Sequence, residues 1–172
     1  MRTRYAAYLL DGFRAAAQQG KLVTTNLRLP AEVVQRNEMF TGLDLRKHAY
    51  GEISAMNNDE LKIAQDLARS EQVSWWWRNP DRTGWRIVGY WGRFYPDFIA
   101  RLVDGRMLVI EYKGKQLAGA EDTERKVNLG QLWTSVAGKG SQFYLVTRDP
   151  DAGQPNRISP ADLARNVLGL TT

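Results

Sequence analysis

Cysteine is absent from this 172-residue chain. Disulfides and thiolate metal sites are thereby excluded, and the composition suits a reducing, cytoplasmic compartment. Histidine occurs once, at His48, which argues against histidine-rich metal centres. Any metal would be held by oxygen, the preference of magnesium, manganese and calcium. No apolar run approaches the ~18 residues of a membrane-spanning helix, so no membrane association is expected. The N-terminal stretch is basic and then mildly apolar, but Asp11 and Arg14 interrupt it, unlike the core of a signal peptide. No GxxxxGK[ST] phosphate loop occurs, which excludes ATP hydrolysis by that route. Repeats and low-complexity tracts are also missing.

Apolar residues make up 43% of the chain and charged residues 25%, ordinary values for a soluble globular protein. The length fits one domain with a small appendage. Lys and Arg number 24 against 19 acids, a net charge of +5. That balance is compatible with a polyanionic partner but does not by itself select nucleic acid, since many unrelated proteins are as basic.

Apolar spacing predicts a helix over 2–19, stopped by Gly20, an extended stretch over 21–29 and a short helix opened by Pro30. Residues 1–40 thus read as a helical extension of unassigned role. Residues 41–56 are irregular. A helix from about Asn58 to Ser70 has Asn57 as N-cap and Leu61, Ala64, Leu67 and Ala68 as its stripe. Strands are expected at 73–79 (VSWWWRN), 85–91, 93–102 and 106–114, followed by a helix over 121–137 and a strand at 142–147. Ser159 and Pro160 start a last helix, and Gly169 closes it. Hairpins followed by a helical crossover imply a mixed sheet with helices on its faces, a three-layer α/β/α sandwich.

The hairpin at 93–114 carries the chemistry. A two-residue loop, Asp104-Gly105, would set Asp97 and Glu111 on opposite faces of the sheet. A three-residue loop, Val103-Asp104-Gly105, sets Asp97 directly opposite Glu111, with Lys113 on the same face. The longer loop needs a left-handed residue in third place, and Gly105 stands there, so the second register is favoured. Two facing carboxylates repel each other in an otherwise apolar hairpin and call for a counter-charge. Lys113 supplies one, and a divalent cation would supply more. For an arbitrary hairpin a plain ion pair would be the stronger reading.

Pro96-Asp97 followed by Glu111-Tyr112-Lys113 resembles the PD-(D/E)XK nuclease superfamily. Residues 44–146 resemble the C-terminal endonuclease domain of type III restriction and related DEAD/DEAH-box helicase subunits. The carrying segments are LRKHAYGEI (45–53), MNNDELKIAQDLA (56–68), WWWRNP (75–80), GRFYPDF (92–98), DGRMLVIEYKG (104–114) and KVNLGQLW (126–133). A bare PD…ExK is a weak signal; PDF, EYKG and a following LW helix in that order are far more specific.

The resemblance implies a restriction-endonuclease-like fold over 41–172 and a metal-dependent endonuclease acting on DNA, in restriction or phage defence. Asp97, Glu111 and the backbone carbonyl of Tyr112 would hold Mg²⁺ or Mn²⁺, and Lys113 would orient water or stabilise developing charge. Glu60 stands where the family places a further acidic residue, a ligand or a base, with Asp59 as fallback. Asn57-x-x-Glu60 also reads as a capping box, and the two readings weigh equally. Lys126 and Gln131 on the following helix, with Arg78 and Lys115, are candidate DNA contacts. A solvated helix face is the simpler account of Gln131, and a turn role the simpler account of Asn79. Trp75 and Trp77 are expected on one face of their strand and Trp76 on the other, as packing groups, and His48 as a structural hydrogen-bonding residue.

The runner-up is a nuclease fold kept for DNA docking without chemistry, inside a larger helicase-containing complex. The chain is expected to be either a standalone nuclease or a piece of a longer polypeptide or complex in which a helicase or ATPase subunit or domain supplies the motor. Cutting both strands of a duplex needs two sites, so a homodimer is expected of an enzyme that does so.

Overall fold

The computed structural model describes residues 45–50, 53, 55–89, 91–114, 121–137, 140–150 and 156–171, with Asp11, Ala15, Ala16 and Gln19 near the N-terminus. Asp11, Ala15 and Ala16 are helical. The rest of the expected helix over 2–19, the segments expected over 21–40, and Lys115 lie outside the described residues.

Helix α1, Asn58–Arg69, begins at a complete capping box. The Asn57 side chain accepts from the Asp59 and Glu60 amides, and the Glu60 carboxylate accepts from the Asn57 amide. Three N-terminal N–H groups that the helix leaves unpaired are thus satisfied, and the acids of the first turn complement the helix dipole. Ile63, Ala64, Leu67 and Ala68 are the buried stripe.

Among the described residues seven strands follow: β1 Val73–Arg78, β2 Ile87–Gly89, β3 Gly92–Phe94, β4 Phe98–Leu102, β5 Met107–Tyr112, β6 Gln142–Val146 and β7 Arg157–Ile158. Five form one mixed sheet in the order β1-β4-β5-β6-β7, while β2 and β3 make a separate ribbon. The β1-β4 and β4-β5 pairs are antiparallel; β5-β6 and β6-β7 are parallel. A parallel neighbour needs a crossover, and helix α2, Glu121–Ala137, provides it between β5 and β6.

The expected single strand over 93–102 is two strands. Phe94 pairs with Ile87 in the ribbon, whereas Phe98 pairs with Arg78 and Ile110 in the main sheet. Pro96 lies between them; it has no N–H to offer a ladder. Strand β7 was not expected: two residues are too few for a periodic signal, and its backbone is recruited by β6.

Alternation sorts the sheet into two faces. Phe98, Ala100, Leu102, Leu108, Ile110 and Tyr112 pack with α1 and with Leu163 and Leu168 of the C-terminal segment. Val109, Phe143 and Leu145 pack with Val127, Leu129 and Leu132 of α2. The chain is therefore α/β, with a central mixed sheet covered by helices on both faces. Trp76 is fully buried on the α1 face, while Trp75 and Trp77 gather on the other around Ile99. Ser159 caps a short helix α3, Pro160–Asp162, which runs on as a π-helical turn, Leu163–Val167, before Gly169 at φ +65. Among the described residues no helix is long and apolar enough to cross a membrane.

Candidate functional site

The β4-β5 hairpin takes the longer of the two loops considered. The Leu102 amide donates to the Arg106 carbonyl at 2.9 Å, the Gly105 amide donates to the Leu102 carbonyl at 3.0 Å, and Gly105 adopts φ +89. Phe98 pairs with Ile110, which sets Asp97 and Glu111 at facing positions one step further along. Pairing by backbone stops there, and the Asp97 side chain continues it: Oδ2 accepts the Tyr112 amide at 2.8 Å.

Glu111 is only 2% exposed. Its Oε1 faces two lysines, Lys113 Nζ at 2.8 Å and Lys126 Nζ at 3.4 Å. Its Oε2 is buried and has no hydrogen-bond partner among the described residues. Burial, and then the negative charge of Asp97, push the Glu111 carboxyl up to about 7 against the opposing pull of Lys113 and Lys126. A buried carboxylate with an unmatched oxygen is costly, and a protein proton or a cation would relieve it. Lys126 also reaches Asp122 at 3.1 Å. Burial works to lower the Lys126 ammonium, but the charge of Glu111 and the contact with Asp122 outweigh it and leave the group raised.

Helix α2 comes close enough to supply Lys126 because Gly130 lies against the Phe143 ring. A Cβ at that position would stand 2.3 Å from the ring.

Arg78, at the end of β1, ties the hairpin to α1. Its Nη1 donates to the Asp97 carbonyl at 3.0 Å and to Asp97 Oδ1 at 2.8 Å, and its Nη2 donates to Glu60 Oε1 at 3.1 Å. The guanidinium lies 5.0 Å from the centre of the Phe98 ring. His48 fixes the Arg78 backbone: its Nε2 accepts the Arg78 amide at 3.0 Å, so Nδ1 carries the proton and donates to the Tyr50 carbonyl at 2.7 Å. Burial keeps this imidazole below its usual range, consistent with a neutral ring. Asn79 clamps the next turn. Its amide nitrogen donates to the Trp85 and Pro96 carbonyls, both at 2.8 Å, and its oxygen accepts the Trp85 amide at 2.8 Å. Its own backbone amide donates to the Asp97 carbonyl at 2.9 Å. The two residues after Trp77 thus set where Asp97 sits.

Of the two readings of Glu60 the capping box is present through one oxygen, while the other oxygen pairs with Arg78. Asp59 turns elsewhere. It binds Arg148 at 2.7 Å and accepts the Tyr112 hydroxyl at 2.6 Å, contacts with Arg148 and then Tyr112 that hold its carboxyl below the ordinary range. Gln131 is half-buried on α2, and no described contact joins it to the carboxylates.

Sequence reading brought Asp97, Glu111, Lys113, Lys126 and Glu60 to one end of the sheet but missed that Arg78 links Asp97 to Glu60. No local signal marks that link, because its ends come from a helix, a strand and a loop. Hard oxygen donors and the unmatched Glu111 Oε2 fit a divalent cation such as Mg²⁺. Among the described residues no group of three or more acidic or histidine side chains converges as a metal cage, so Asp97 and Glu111 are the side-chain ligands on offer.

Compared with models of protein families, with curated proteins and with solved structures, the chain matches none.

Proposed function

We propose that the chain is a metal-dependent nuclease of the PD-(D/E)XK type, with the restriction-endonuclease-like three-layer fold, hydrolysing DNA phosphodiester bonds. One observation carries the reading: Asp97 and Glu111 meet at the ends of adjacent strands, Lys113 is on Glu111 at 2.8 Å, and one Glu111 oxygen is buried without a partner. A sheet end bearing two carboxylates and a lysine is a costly arrangement for stability alone.

Asp97 and Glu111 would hold Mg²⁺ or Mn²⁺, with the Tyr112 carbonyl beside them. When bound, the metal supplies an acidified water and a charge clamp for the phosphate. Lys113 balances the charge of Glu111, and with a metal bound its ammonium would be available to a water or a phosphate oxygen. Lys126 offers a second positive charge on the same carboxylate.

The test is cleavage of plasmid and single-stranded DNA with Mg²⁺ or Mn²⁺, with EDTA and Asp97→Asn as controls. Asparagine is preferred to alanine because its carbonyl oxygen still accepts a hydrogen bond, and emptying a buried pair costs ~3–5 kcal/mol. Cutting should require the metal and fall by at least ~10³-fold in the variant, on the scale of losing a charge-stabilising group. Full activity in Asp97→Asn, with a folded protein, would sink the proposal.

A second reading, a nuclease fold that docks DNA without cutting it, is favoured by the engagement of both Asp97 oxygens, one by Arg78 and the other by the Tyr112 amide. It predicts DNA retardation without cleavage under any metal.

A further inference from the structure

Among the described residues Glu60, Asp97 and Glu111 each lie within 3.4 Å of at least one of Arg78, Lys113 and Lys126, and Lys126 also holds Asp122 at 3.1 Å. The two lysines both crowd onto Glu111. Among the described residues Asp97 and Glu60 share a single cation, the Arg78 guanidinium. A bridge between two carboxylates from different elements is the task a second divalent ion performs in a two-metal site, where the ions stand ~3.5–4 Å apart.

Arg78 is held in that bridge by its backbone, its ring contact and its Nη groups. His48 takes its backbone amide, the Phe98 ring lies against its guanidinium, and the Asp97 carbonyl takes an N–H alongside the carboxylate. Its side chain is 12% exposed. A mobile surface arginine would have none of these restraints. Glu60 has no oxygen left over, since Oε2 is committed to the helix cap. Three of the five guanidinium N–H groups are used by Asp97 and Glu60.

We propose that Arg78 is the built-in cation of this site, standing where a two-metal nuclease would bind its second ion, and that Glu60 is a positioning residue for Arg78 rather than a metal ligand. The site then takes one divalent ion, between Asp97 and Glu111. One added divalent charge at that position suits an anionic phosphodiester. The inference rests on the nuclease reading.

The experiment is Mn²⁺ binding to the full chain without DNA, by calorimetry and by electron paramagnetic resonance, alongside cleavage. Wild type should bind one Mn²⁺ per chain. Glu60→Gln should keep its Mn²⁺ affinity within ~2-fold, less than the ~1.4 kcal/mol of a tenfold change, while cleavage falls. Arg78→Met, checked for folding by circular dichroism, should bind a second Mn²⁺ because Asp97 and Glu60 are left without their cation. If Arg78→Met does not fold, Glu60→Gln and the wild-type stoichiometry decide alone. Two ions in an active wild-type enzyme, or a Mn²⁺ affinity lost in Glu60→Gln, would overturn the inference and leave the nuclease reading standing. No Mn²⁺ bound by wild type and no cleavage would remove both.

Discussion

Glu111 carries the sharpest consequence at the scale of single residues. Its carboxyl titrates near 7 in the folded chain against an ordinary value of 4.5, so between those values the folded state holds more protons than the unfolded one. Stability therefore falls as pH rises from about 4.5 to about 7, by up to ~1.4 kcal/mol per unit. Glu111→Gln should flatten that slope in the metal-free protein, measured as urea midpoints at pH 5 and pH 7.5, and should abolish cleavage. An unchanged slope would mean that Glu111 is ionised throughout. Mg²⁺ should restore wild-type stability more at pH 7.5 than at pH 5, because a ligand carboxyl must give up its proton. Asp97, Glu111 and Lys113 were legible as a group from the sequence because their meeting follows from one hairpin register. Arg78 was legible only as a basic residue near them, since its bonds to Asp97 and Glu60 depend on how α1 docks beside β1.

Between residues and the whole, the hairpin and α2 decide the site. Gly105 sets the loop, the loop sets the register, and the register brings Asp97 opposite Glu111. Helix α2 delivers Lys126 only while it lies close to β6. Gly130→Ala would gain ~1 kcal/mol of helix propensity, but its Cβ would overlap the Phe143 ring. Net destabilisation of ~1–3 kcal/mol is expected, in the range of overpacked cores, together with reduced cleavage as Lys126 is displaced. Denaturant unfolding and plasmid cutting on the same sample check both. A stabilised, fully active variant would show that the helix adjusts freely. The close approach was readable from the sequence only as a glycine inside a helix. Phe143, which makes the glycine necessary, lies 13 positions away on another element.

The whole chain carries a net charge of +5, and its candidate site adds lysines at the end of a sheet. Binding to duplex DNA, measured with Ca²⁺ in place of Mg²⁺, should weaken at least ~10-fold between ~50 and ~200 mM salt, as expected when two or more phosphates are neutralised. Insensitivity to salt would argue against a phosphate-tracking surface. The strand order β1-β4-β5-β6-β7 keeps this prediction local: β4 and β5 are central, so their ends open where helices on both faces can contribute charges.

The amino-acid pattern alone determined the elements with strong periodicity or caps: α1 behind Asn57, β1, the β4-β5 hairpin with its register, α2, β6 and the Ser159-Pro160 helix start. These follow from contacts a few residues apart, where spacing and turn chemistry suffice. Only the tertiary structure decided that the stretch around Pro96 divides between two sheets, that Arg157 and Ile158 extend the main one, and that Arg78 pairs with both Asp97 and Glu60. Those outcomes depend on which partners long-range packing brings within hydrogen-bonding distance, and no local period encodes that choice.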